Sequence, residues 1–220
     1  MLERTLEPEV MDTEEDAAEY EAIDNTAVNA ELVEHVLRIA PSHGAAIDIG
    51  GGPGHVAVLL AQRAPEMRVL TVDLAESMLV RARAYVTAAG MRGRVAVMRA
   101  DAKDTGFAPY SFDVVISNSL VHHIPNPVPF FAEVARIVRP SGAVLIKDLH
   151  RPSTDLEHAD LVARHAGDCS RRQRELFSDS LRAALTVEEV RAACAEAGLR
   201  GVSVRKTSDR HWVVERGTTS

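Results

Sequence analysis

Short runs of apolar residues alternate along this chain with longer stretches whose apolar residues recur every three or four positions. Ala45 to Ile49, Arg68 to Val72, Val95 to Arg99, Phe112 to Ser117 and Ala143 to Lys147 are rich in Val and Ile and bounded by turn residues, which predicts buried strands. Between them, Gly54 to Ala64, Ala75 to Ala89 and Val128 to Val138 carry the helical period, with Pro65, Gly90 and a Pro140-Ser141-Gly142 turn as the expected stops. Such alternation predicts a doubly wound α/β fold with a mostly parallel sheet, whose ligands bind beyond the carboxyl ends of the strands.

Two regions stand outside the alternation. Before Ala45 the pattern fits two helices. Asp12 with Glu15 can cap the first, and Asn25 the second, whose apolar face uses Val28, Leu32, Val33, Val36 and Leu37 before Pro41. Arg151 to Ala184 is polar and helical. After it, Thr186 and Glu189 form a capping box for a helix ending at Gly198, and Gly201 to Arg205 and His211 to Glu215 read as strands, the last antiparallel. The expected organisation is a helical lid or cap over residues 1–44 and one domain over 45–220, with 151–184 a helical insertion near the active site.

Composition narrows the classes. The length of 220 residues suits one domain, and 46% hydrophobic with 26% charged residues is ordinary for a globular protein. No apolar run approaches the ~20 residues of a membrane span, and the acidic start lacks the basic and apolar parts of a signal peptide, so the cytoplasm is the expected location. A net charge of -7 opposes the phosphate backbone and argues against nucleic acid as a partner. Cys169 and Cys194 stand alone, without disulfide or zinc-ligand spacing.

The segment Asp48-Ile49-Gly50-Gly51-Gly52-Pro53-Gly54 carries a strand into a glycine turn and then a helix, where backbone can approach a ligand closely. Gly52-x-Gly54-x-x-Ala57 also satisfies the relaxed dinucleotide fingerprint, which keeps a nicotinamide or flavin oxidoreductase open. Asp73 ends the next strand nineteen residues beyond Gly54, and a carboxylate there can accept from both hydroxyls of a ribose.

In order, Asp48-x-Gly50-x-Gly52-x-Gly54, Asp73, Ala100-Asp101-Ala102 and Phe112-Asp113-Val114-Val115-Ile116-Ser117-Asn118-Ser119-Leu120-Val121-His122-His123-Ile124 resemble the motif series of class I S-adenosylmethionine methyltransferases. The resemblance spans about Ala45 to Pro152, and the opening Glu7-Pro8-Glu9-Val10-Met11-Asp12 is similar to that of a bacterial subgroup. It implies S-adenosylmethionine as cofactor and methyl transfer to an O, N, S or C nucleophile of a small molecule. Gly50 and Gly52 would then pass the methionine part, Asp73 hold the ribose, Asp101 accept from the adenine amino group, and Asn118 offer a carbonyl beside the sulfonium. Asp48, Leu74 and Ala102 belong to the same implied set, with Met78 on the adenine face and Tyr20 reaching in from the N-terminal region. A regulatory protein that binds the cofactor without turnover has the same fold and stays open.

Displacement at a sulfonium needs alignment and exclusion of water, and an oxygen or nitrogen acceptor also needs a base. His122, His123, Asp148 and His150 all follow strands at the expected mouth. Neighbours on an extended segment point opposite ways, so at most one of the first two is expected to face the substrate, with His123 the first choice as catalytic group ahead of His122 and His150. Arg151, which can clamp a carboxylate or phosphate, and Asp148 are the substrate candidates. No His-x-x-x-His or carboxylate cluster accompanies them, so no metal is expected.

Overall fold

In the computed structural model, which describes residues 2–8, 12 and 26–218, the apolar runs become strands and the periodic stretches become helices. The order is α1 (Thr26–Ile39), β1 (His43–Ile49), α2 (His55–Arg63), β2 (Glu66–Asp73), α3 (Glu76–Ala88), β3 (Val95–Arg99), β4 (Phe112–Asn118) and a 3-10 turn (Val121–His123), then α4 (Val128–Ile137), β5 (Val138–Leu149), α5 (Asp155–Ala166), α6 (Arg171–Ala183), α7 (Val187–Glu196), β6 (Ser203–Lys206) and β7 (His211–Arg216). The strands form one sheet in the order β3-β2-β1-β4-β5-β7-β6. The first five are mutually parallel, and β7 runs antiparallel to both β5 and β6. The strand order reverses between β1 and β4, and a doubly wound sheet opens its ligand crevice at the carboxyl ends of such a pair.

Alternating inward positions bury two cores, one on each face of the sheet. Leu32, Val33 and Val36 of α1 join Leu60 of α2 and Val86 of α3 over Ile116, Leu145 and Val213. Phe130, Phe131 and Val134 of α4 and Val190 of α7 cover Ile47, Val115 and Trp212 on the other face. Helices α5 and α6 instead make a small cluster of their own, Leu161 and Leu181 closing on Leu149 at the end of β5. That pair is therefore carried at the carboxyl end of β5. Its ends are fixed locally: Thr154 accepts from Glu157 N, Ser170 and Gln173 form a capping box, and Thr186 with Glu189 forms the predicted one on α7.

One expectation is corrected. Pro140-Ser141-Gly142 is not a turn but lies within β5, where the pairing jumps from Phe112↔Val138 to Val114↔Ala143. The extra residues are absorbed as an irregularity in which Pro140 owes the ladder no N–H, and Arg216 holds it by donating to the carbonyls of Arg139 and Gly142. Asp12 Oδ1 accepts from Ser77 N at 2.9 Å and supplies the start of α3, whose N-cap Ala75 has no side-chain acceptor; Glu15, its expected capping partner, lies outside the described residues. Asn25 and the remainder of the predicted first helix lie outside the described residues. No described helix is long and apolar enough to cross a membrane.

Candidate active site

The turn after β1 depends on what only glycine allows. Gly50 takes φ +69°, and a Cβ there would lie 2.7 Å from the Leu120 side chain. A Cβ on Gly51 would collide with Thr71 Oγ1 and stand 2.7 Å from Asp48 Oδ2. The N–H groups of both glycines donate to the Val72 carbonyl, at 2.8 and 3.1 Å, and fasten the turn to the end of β2. Gly51→Ala is therefore expected to cost about 1–3 kcal/mol through overpacking, a fall of roughly 2–12 °C in Tm for a chain of this size. An unchanged melting temperature would mean that the turn has room to spare.

Two carboxylates flank that turn, Asp48 buried and Asp73 half-buried. Asp48 is fully buried, and its Oδ2 has no hydrogen-bond partner among the described residues. Asp73 accepts from Gly52 N at 2.9 Å and from Ala75 N at 3.0 Å. Burial, and after it the charge of Asp73, pushes the Asp48 carboxyl up to about 7. Burial also raises Asp73, against the opposing N–H groups of Ala75, Gly52 and Leu74. The crevice beside them is lined by Asn29 of α1, Asp48, Gly50, Gly51, His55 and Asn118. Such a site offers acceptors and negative charge to a cationic ligand rich in donors.

The other residues expected around a nucleoside fall along the same edge. Leu74 is half-buried behind Asp73, and Met78 packs with Ala75 in an apolar patch separate from both cores. Asp101 follows β3, with Ala102 beside it, and turns its carboxylate to Lys103, accepting from the backbone N at 2.9 Å. Asn118 closes β4 ahead of Ser119, whose φ of +56° is left-handed for a non-glycine residue and is the kind of strain that clusters at binding sites. Tyr20 lies outside the described residues. Asn29 and His55, at the crevice wall, had no sequence signal of their own. A wider groove of about 640 Å³ lies between α1 and the β6–β7 pair, lined by Glu31, His35, Lys147 and Glu215, and includes no residue of the glycine turn.

Beyond β4 the N-terminal segment Leu2–Pro8 is strapped across the 3-10 turn and the end of α6. Arg4 donates to the carbonyls of Ala183 (2.6 Å), Pro125 (2.9 Å), His122 (3.2 Å) and Ile124 (2.9 Å). Glu7 is thereby brought to the two histidines, its Oε1 3.4 Å from His122 Nε2 and 3.2 Å from His123 Nδ1. The 3-10 turn explains why both imidazoles face one group, where an extended segment would have sent them apart; their ring centroids are 4.2 Å apart. Behind them Asp148, fully buried, meets His122 Nδ1 at 2.6 Å and accepts from the backbone N–H groups of Val121, His122 and Leu149.

This arrangement divides the titration of the cluster. Burial alone would lower the His122 imidazole, but Asp148 and Glu7 more than offset it and hold it above its usual value. Asp148, which burial would raise, is held below the carboxylate range by His122. Burial raises Glu7 against the pull of His122. His123 is lowered to about 3 by burial and then by the neighbouring His122, so its ring is neutral at physiological pH.

The structure places the last two candidates differently from the sequence expectation. Arg151 is 4% exposed and its guanidinium is already engaged, donating to the carbonyls of Leu2 (3.0 Å) and Ala184 (2.7 Å) and to Glu189 (2.6 Å). It ties the strap to the α6–α7 junction and does not present itself to a substrate. His150 donates its backbone N–H to the Arg210 carbonyl, and its imidazole is lowered by burial and then by Lys206.

A family model described as a methyltransferase domain matches residues 47–146. The chain is 31% identical over 194 residues to the malonyl-[acyl-carrier protein] O-methyltransferase of Geobacter sulfurreducens, covering 86% of this chain and 68% of that protein. It is 31% identical over 114 residues to the ubiquinone/menaquinone biosynthesis C-methyltransferase of Dinoroseobacter shibae, covering 51% of this chain. The chain spans about half the length of the latter, 46%, and 44% of its counterpart from Paracoccus denitrificans. Among solved structures, an S-adenosylmethionine-dependent methyltransferase from Aquifex aeolicus matches with a TM-score of 0.66 at 17% identity, over 92% of this chain and 97% of that one. Phosphoethanolamine N-methyltransferase 2 of Haemonchus contortus, in complex with S-adenosyl-L-methionine, matches with 0.69 at 24% identity, over 89% and 44%. These two share the fold. The oxidoreductase alternative gives way, and the chain belongs to the class I S-adenosylmethionine-dependent methyltransferases.

Proposed function

We propose that this chain transfers a methyl group from S-adenosylmethionine to a nucleophilic atom of a small molecule. The observation that carries the reading is the pair of carboxylates, Asp48 buried and Asp73 half-buried, on either side of a glycine turn too tight for a Cβ. Those residues fit the cofactor: Asp48 with the backbone of Gly50 and Gly52 would hold its methionine end, and Asp73 its ribose. Leu74 and Met78 would flank the adenine, with Asp101 and Ala102 at its amino edge. The Asn118 carbonyl would lie beside the sulfonium. When bound, the cofactor supplies an electrophilic methyl group on a positively charged sulfur.

The chain's own contribution is alignment and exclusion of water, worth roughly 7 to 11 kcal/mol at its best. We assign the covering role to the Leu2–Pro8 strap, which crosses the 3-10 turn after β4, and to the α5–α6 pair, which packs on the end of β5. His122 would take the proton of a hydroxyl or ammonium acceptor, because Asp148 and Glu7 hold its imidazole basic, while neutral His123 would orient the acceptor. The malonyl-[acyl-carrier protein] and quinone-pathway relatives act on oxygen and carbon respectively, so the acceptor atom is left to experiment.

A thermal-shift panel of S-adenosylmethionine, S-adenosylhomocysteine, NAD and NADP tests the cofactor, and selective stabilisation by the first two is the expected result. Stabilisation by NAD or NADP alone would overturn it. Transfer of labelled methyl to candidate acceptors then separates an enzyme from a binding protein. A pH dependence is also expected. With its carboxyl near 7, Asp48 is increasingly protonated in the free protein as the solution becomes more acid. A cationic cofactor favours the ionised form, so binding below about pH 7 should release a proton, and affinity should fall by up to about tenfold per unit as pH drops. For the fold itself the sign is opposite: the native state holds this proton more tightly than the unfolded chain, so this group's contribution to stability declines as pH rises from about 4 to about 7. Calorimetry in buffers of different ionisation heat reads the released proton, and Asp48→Asn should abolish it.

A further inference from the structure

Glu7, His122 and His123 each offer one ligand atom, and the three atoms lie within 4.8 Å of one another. The Glu7 side chain is 8% exposed and that of His122 5%, so the cluster is closed to bulk water on most sides. Glu7 Oε1 and His123 Nδ1 are both buried, and neither finds a hydrogen-bond partner among the described residues. A buried carboxylate oxygen and a buried imidazole nitrogen left in that state 3.2 Å apart call for something between them. Asp148 adds a second pointer. By accepting from His122 Nδ1 at 2.6 Å it fixes the tautomer whose Nε2 lone pair faces Glu7, the arrangement in which a carboxylate orients and strengthens a metal-binding histidine.

We propose that Glu7 Oε1, His122 Nε2 and His123 Nδ1 hold a divalent transition-metal ion, with zinc the best match, and that the ion fastens the N-terminal strap over the acceptor end of the site. Tetrahedral bonds of about 2.0–2.1 Å separate neighbouring ligand atoms by roughly 3.3–3.4 Å, and the two measured separations from Glu7 are 3.4 and 3.2 Å. Two imidazoles disfavour magnesium and calcium, which take oxygen ligands. Arg4 and Arg151 stand near the cluster but give their donors to backbone carbonyls and to Glu189, so neither fills the space between Glu7 and the two imidazoles. Three protein ligands leave a fourth position free, as in catalytic zinc sites. An acceptor oxygen or sulfur bound there would become more acidic and release its proton to solvent, so that His122, as a ligand, would no longer have to accept it. The metal assignment rests on the geometry of this cluster and does not depend on methyl transfer.

The test is elemental analysis of the full chain, purified without a histidine tag or chelator, followed by calorimetric titration of the metal-stripped protein with Zn²⁺. One equivalent of metal per chain is expected. Glu7→Gln and His123→Ala should each weaken Zn²⁺ binding by more than the about 10- to 100-fold expected for Asp148→Asn. Glu7 lies on the strap rather than in either core, so Glu7→Gln keeps the test valid should a histidine variant fail to fold. Zn²⁺ should also slow amide exchange in residues 2–8 of the wild type but not of Glu7→Gln. Absence of both native metal and Zn²⁺ binding would overturn the proposal, as would Zn²⁺ affinity unchanged in Glu7→Gln and His123→Ala. Thermal shift with S-adenosylmethionine reads the cofactor site separately, so failure of one assignment is distinguishable from failure of the other.

Discussion

Replacing Asp73 by alanine is expected to weaken S-adenosylmethionine binding by about ten- to over one-hundredfold while leaving the protein folded. The carboxylate is held in place by Gly52 N and Ala75 N, so it meets a ligand already oriented, and each charge-assisted hydrogen bond it loses is worth roughly 1.5–3 kcal/mol. Asp73→Asn separates the causes: the amide keeps the shape and one acceptor but loses the charge, and its affinity should fall between wild type and Asp73→Ala. Calorimetry on folded variants is the measurement. An unaltered Kd in Asp73→Ala would remove this residue from the cofactor site and with it the main support for the proposed reading.

For the reaction itself the largest effect is expected at His122. His122→Ala would leave Asp148 as an unpaired buried charge, which costs several kcal/mol of stability, so His122→Asn is the better variant. Its amide nitrogen sits near the place of Nδ1 and can still donate to Asp148, while the second ring nitrogen is gone. With a hydroxyl acceptor, single-turnover methyl transfer should slow by about 100- to 10,000-fold with cofactor affinity intact. With a thiolate or neutral amine the loss should be much smaller, so the result also reports on the acceptor. His150→Ala is expected to retain wild-type rates, because the charges that act on its imidazole are those of Lys206, Glu157, Glu188 and Arg151. A large defect in His150→Ala beside a normal His122→Asn would transfer the role.

The sheet was legible because its strands are contiguous apolar runs and its helices keep one apolar face, both local properties. Asp48, Gly50 and Asp73 were legible for a related reason, each occupying a fixed place at the end of a strand. What escaped was non-local. Glu7 is more than one hundred residues from His122, and nothing in its neighbourhood foretells that Arg4 will anchor the strap to four carbonyls across the 3-10 turn. In the opening motif Glu7 had no role and Asp12 only that of a local helix cap, and the fold carries both ends to distant partners: Glu7 to the histidines and Asp12 to the start of α3. Arg151 looked available because sequence cannot reveal that Leu2, Ala184 and Glu189 have already claimed its donors. The Pro140-Ser141-Gly142 stretch misled for the opposite reason, a strong local turn signal overruled by pairing with β4 and by Arg216. Ser170 and Gln173, three apart like Thr186 and Glu189, were a readable capping box that went unread.

The sheet ends on its two shortest strands, β3 with five residues and β6 with four, whose outward positions include Arg99 on one side and Arg205 and Lys206 on the other. A strand at a sheet border leaves N–H and C=O groups free to template another chain, and brevity and positive charge are what discourage it. The apolar runs in β1, β4 and β5, which alone would be prone to stack, are enclosed between these borders. In concentrated solution the folded protein is thereby guarded against edge-to-edge aggregation, and that guard stands only while β6 and β3 remain paired to the strands they cover.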